Sequence, residues 1–87
     1  MTYSTLRLCQ GRAAFEAVPI PRRSLDLRRL RERLERDGVP VVDARVMLIA
    51  RFEREVTIGR DGRILVKSGD ASEAARLFDR VRSLVES

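Results

Sequence analysis

The chain has 87 residues, enough for one domain spanning residues 1–87, and its apolar residues, 44% of the total, recur at regular spacings that exclude a disordered segment. No run approaches the roughly 18 consecutive apolar residues of a membrane span, and no apolar leader follows a basic stretch at the N-terminus. The net charge of +5 favours acidic partners and keeps the domain soluble, while a single cysteine, Cys9, excludes an internal disulfide and makes the cytoplasm the expected compartment.

Tyr3 to Cys9 alternate weakly and read as an extended segment that Gly11 interrupts. Ala13 to Val18 predict a strand, closed by Pro19-Ile20-Pro21, where two prolines disfavour helix. The next element is a helix over 27–37. Leu27, Leu30 and Leu34 fall on one stripe, Asp26 suits the N-cap, and Gly38 followed by Pro40 ends it.

Residues 41–52 are rich in β-branched and aliphatic side chains and predict a strand buried on much of both faces, with Asp43-Ala44-Arg45 bending its start. Val56, Ile58, Ile64 and Val66 flank Arg60-Asp61-Gly62 and predict a hairpin over 55–67. A two-residue turn at Asp61-Gly62 would split these four residues between faces. A three-residue loop with Gly62 in the left-handed region pairs Ile58 with Ile64 and Val56 with Val66, so burial selects it. The connection 52–55 lacks Gly and Asn, which leaves open one long bent strand over 46–58.

The last helix starts at Asp70, with Glu73 three residues on in a pattern like a capping box. Its core stripe runs from Ala71 through Ala74, Leu77, Phe78 and Val81 to Leu84 and Val85. The expected fold is α+β, in the order β-α-β-β-β-α: an antiparallel meander with both helices packed on one face.

Histidine is absent, and with it the commonest general base and metal ligand; one cysteine cannot build a cysteine zinc site. No phosphate-binding glycine loop is present, so no catalytic residue, metal or cofactor is expected. Cys9 beside Leu8 reads as a small hydrophobe; the sharper alternative is a sulfur or acyl relay, because Arg7 or Arg12 would lower the thiol pKa. Arg29, Arg33 and Arg36 line one flank of the first helix, with Arg22 and Arg23 just before it. That stripe is either a solvated face or a docking patch for an acidic protein; a basic nucleic-acid-binding protein is the weaker alternative, since aromatics are few. Asp61 and Gly62 read as turn chemistry rather than an anion loop.

The run from Glu55 to Lys67, then Gly69-Asp70 and Ala74 to Phe78, resembles the C-terminal extension of bacterial ThiF/MoeB/HesA-type adenylyltransferases, which activate ubiquitin-like sulfur carriers. Leu8-Cys9-Gln10-Gly11-Arg12 is similar to an upstream Leu-Cys-Gly-Arg element of that extension, and Leu25 to Leu30 to its helix start. Gln10 interrupts the element, Arg60 stands where proline is usual, and the connection at Glu53 is short. The nucleotide-binding domain of those enzymes has no counterpart in these residues. The resemblance therefore implies an accessory module that docks an adenylyltransferase or a sulfur-carrier protein, or pairs with a second copy. Cys9, Gly11 and Arg12 match the motif without an implied catalytic role.

Overall fold

A computed structural model describes residues 2–8 and 13–86. Cys9, Gln10, Gly11 and Arg12, and with them all but Leu8 of the upstream similarity, lie outside the described residues. The fold is α+β, with an antiparallel sheet and two helices.

The N-terminal stretch contributes β1 (Thr2–Tyr3) and β2 (Arg7–Leu8), followed by β3 (Phe15–Ala17) and β4 (Pro19–Ile20). Helix α1 (Leu27–Arg36) follows, then β5 (Val41–Asp43), β6 (Met47–Arg51), β7 (Glu55–Gly59), β8 (Ile64–Val66) and helix α2 (Ala71–Glu86). The strands β2-β3-β8-β7-β6-β5 form one sheet in that order, and β1 pairs with β4 in a separate two-stranded strap. The expected order holds, with the C-terminal meander lengthened to four strands.

Residues 41–52 do not make a single strand. Val41–Asp43 folds back on Met47–Arg51, pairing Val42 with Ile49. The turn is made without glycine: Arg45 takes a positive φ of 72°, and its backbone N–H donates to the Asp43 carboxylate at 2.8 Å. Asp and Asn commonly close turns in this way. Residues 46–58 are likewise two strands rather than one bent strand. Phe52 donates its N–H to the Arg54 carbonyl, and α2 holds the turn through Arg76 on Glu53 and Arg54 on Glu73, with Arg80 over the Phe52 ring.

The hairpin adopts the register that burial selects. Val56 faces Val66 and Ile58 faces Ile64, all four fully buried. Gly62 sits at φ 91°, and a Cβ there would lie 2.7 Å from Pro19 Cγ, so backbone conformation and space both demand glycine.

One face of the sheet carries the core. Leu48, Ala50, Val56, Ile58, Ile64 and Val66 meet Leu30 and Leu34 of α1 and Leu77 and Val81 of α2. The Asp26 carboxylate accepts the Arg29 N–H at the start of α1, and Gly38 follows its end at φ 76°. At α2 the Asp70 carboxylate accepts the Glu73 N–H at 3.0 Å. Glu73 does not return the bond directly: it accepts from the Ser68 hydroxyl at 2.6 Å, and Ser68 in turn accepts the Asp70 N–H at 3.1 Å. Ala71, expected in the core stripe, is exposed at the first turn.

Candidate functional site

The helices cover one face of the sheet only. On the other face a single row of side chains crosses all six strands. Arg7 stands opposite Glu16, Glu16 opposite Leu65, Leu65 opposite Thr57, Thr57 opposite Ile49, and Ile49 opposite Val42. From Leu65 to Val42 the row spans about 14 Å at ~4.8 Å per strand. Leu65, Thr57 and Ile49 are half-buried although no element of the described residues lies over them, and Val42 is 62% exposed. Met47 adds to the aliphatic centre, and Val46 stands beside it at 54% exposure.

Charges frame this centre. At one end Glu55 receives Lys67 at 2.6 Å and Arg51 at 3.5 Å. The Lys67 ammonium, with Arg51 adding to it, holds the Glu55 carboxyl below the usual carboxylate range. At the hairpin end Glu16 is paired with Arg63 at 3.7 Å. The segment 22–25 is stitched to that end by backbone bonds: Leu25 N–H donates to the Arg60 carbonyl, and Arg60 N–H to that of Val46, both at 2.8 Å. These bonds bring Arg22, Arg23 and Arg60 to one rim. Floor and rim enclose an open hollow of about 920 Å³.

The arginine stripe expected on α1 is thereby divided. Arg22 and Arg23 border the sheet hollow. Arg23 also reaches a second, smaller hollow of about 180 Å³, shared with Arg29 and Arg33 between the start of α1 and Val85 of α2. Arg33 is half-buried and donates to the Leu84 carbonyl at 3.1 Å, where a cation also complements the C-terminal end of a helix. Arg36 lies in the last turn of α1, outside both hollows. Asp61 and Gly62 do turn work: the Asp61 carboxylate accepts the Arg63 N–H at 3.1 Å, and Gly59 N–H donates to the Arg63 carbonyl.

The lining carries carboxylates and hydroxyls beside its cations. Of its carboxylates, Glu16 and Glu55 are ion-paired and Asp61 closes its own turn, and its hydroxyls, Ser24 and Thr57, have no histidine to activate them. Among the described residues no group of three or more His, Cys, Asp or Glu could hold a metal ion, and no helix is long and apolar enough to cross a membrane.

The aliphatic centre and Arg60 went unnoticed in the sequence. A signal was present: Met47 and Ile49 alternate with Leu48 and Ala50, and two helices supply only one covering layer. The chain matches no family model, no curated protein and no solved structure.

Proposed function

We propose that this chain is a non-catalytic accessory module that binds a protein partner across the open face of its sheet. The observation that carries this reading is the one-sided cover. Leu65, Ile49, Met47 and Val42 form an aliphatic centre on a face where, among the described residues, no second layer packs. Partly exposed apolar side chains gathered on an uncovered face and rimmed by polar groups are a mark of interaction sites.

The partner class comes from the ordered resemblance to the adenylyltransferase extension: an adenylyltransferase, or the sulfur-carrier protein it activates. A cytoplasmic location belongs to the same reading. Nucleic acid is the poorer fit, because Tyr3, Phe15, Phe52 and Phe78 all pack against the helix-side core, which leaves no aromatic on the open face to stack a base.

The test is affinity capture from native extract with the wild-type chain and an Ile49→Asp variant, followed by mass spectrometry. The expected result is recovery of a sulfur-carrier protein or its adenylyltransferase by the wild type and at least about thirty-fold less by the variant, as for an interface hot spot. Capture of such a protein at equal yield by both chains rejects the open face as the site. Recovery of no sulfur-transfer protein rejects the partner class.

A further inference from the structure

The open face has a polarity that specifies its partner's chemistry. Among the described residues five cations and three carboxylates line the hollow. Glu16 neutralises Arg63, and Glu55 neutralises Lys67. Asp61, the third carboxylate, accepts a backbone bond in its own turn and keeps its negative charge beside Arg60. Among the described residues Arg22, Arg23 and Arg60 have no ion-pair partner, and all three are exposed at the same end. The lining thus carries two more cations than carboxylates, and Arg22, Arg23 and Arg60 place that surplus at one rim, while the floor beside it is aliphatic.

We infer that the surface seated on this face is an acidic protein surface bearing aliphatic side chains, its carboxylates against Arg22, Arg23 and Arg60 and its aliphatic groups on Ile49, Leu65 and Met47. The inference rests on the reading of this face as a protein-docking site and adds the partner's contact chemistry. Complementary charge raises the encounter rate and fixes orientation, and desolvated aliphatic contact holds the complex. A second copy of the chain is disfavoured, since it would bring a second net charge of +5 to a face that already has surplus positive charge. A nucleic-acid strand would satisfy the rim but leave the aliphatic floor unmatched.

Titration of the isotopically labelled full chain, followed by amide chemical shifts, tests this. The probe is a short synthetic amphipathic peptide with leucine on one helical face and glutamate on the other; its counterpart replaces every glutamate with lysine. The expected result is shifts at residues 22, 23, 47, 49, 57, 60 and 65. The glutamate peptide should bind at least about ten-fold more tightly than the lysine peptide and lose about ten-fold at high salt, where screening is strong. Leu65→Ser, and Arg22→Glu with Arg23→Glu on the exposed segment, should each weaken it about ten-fold or more, with thermal midpoints of the free chains showing that both remain folded. Equal binding of the lysine peptide overturns the inference, as do shifts confined to the helix side. Tighter binding of a single-stranded oligonucleotide, or the same shifts on concentrating the chain alone, would assign the face to nucleic acid or to a second copy. If neither peptide binds while capture from extract still depends on Ile49, the docking face stands and the acidic-aliphatic chemistry falls. If capture is also indifferent to Ile49, both readings fall.

Discussion

The Tyr3 hydroxyl donates to the Gly62 carbonyl at 2.8 Å, which ties the N-terminal strap to the tip of the β7–β8 hairpin. The ring of Tyr3 also meets Phe78 edge-on, with centroids 5.3 Å apart. Burial pushes the phenol up to about 12 from its ordinary 10.0, with Glu86 adding to the rise. A raised pKa means that the folded state favours the neutral phenol. The contribution to stability is therefore complete below pH 10.0 and is lost as pH rises towards about 12. Because the chain has one tyrosine and no tryptophan, tyrosinate absorbance reads this group alone. The transition is expected near 12 in the folded chain and near 10 in denaturant. Tyr3→Phe should cost about 1 kcal/mol in urea unfolding, the net worth of one hydrogen bond.

Glycines 62 and 38 separate two contributions to the cost of a side chain. Both have positive φ, but a Cβ at Gly38 meets nothing within 4 Å, whereas one at Gly62 strikes Pro19. Gly38→Ala should cost about 1 kcal/mol, the conformational penalty alone. Gly62→Ala should cost more, about 2–4 kcal/mol, because overpacking is added to that penalty. Urea midpoints of the two variants check the difference. Equal costs would show that the strap yields freely at Pro19.

Elements fixed by neighbouring residues were legible in the sequence, and elements fixed at a distance were not. The hairpin register followed from four β-branched residues that only one loop length places on a single face. The limits of α1 followed from Asp26 and Gly38. The β5–β6 turn was hidden because Arg45, not glycine, takes the left-handed position, with Asp43 as its local acceptor. The turn at Phe52 to Arg54 was placed between two strands but left open to a single bent strand, because its anchors, Glu73 and Arg76, are some twenty residues away. The candidate site was hidden for a related reason. Met47 and Ile49 look buried when read along the strand, and only the position of the helices leaves their face open.

Ser68 is the one buried polar side chain among the described residues, and it relays the cap of α2 between Asp70 and Glu73. Ser68→Ala removes its bonds at both ends of the relay and should cost about 1–2 kcal/mol, the upper part of the range for a lost cap. Asp70→Ala removes the other half of the box and should cost about 1 kcal/mol. Because both act on the same turn, the double variant should lose less than the sum of the two. Thermal unfolding of the three variants provides the cycle, and strict additivity would mean that the two bonds act independently.

Acid should loosen the chain at the junction of α2 with the β6–β7 turn. Hydrogen bonds from Ser68 and then Arg54 hold the Glu73 carboxyl below the usual carboxylate range, and Arg76 does the same for Glu53. A lowered folded-state pKa favours the ionised form on folding. Each contribution is therefore complete above the unfolded value near 4.5 and is lost as pH falls through the lower folded value. The thermal midpoint should be level from neutral pH down to about 5 and then fall, because protonation removes the acceptor charge that Arg54 and Arg76 bind. Glu73→Gln should be the less stable chain at neutral pH, and its midpoint should converge on that of the wild type in acid. Parallel curves, separated by the same interval at every pH, would show that the Glu73 charge contributes nothing and that only its hydrogen-bond geometry matters.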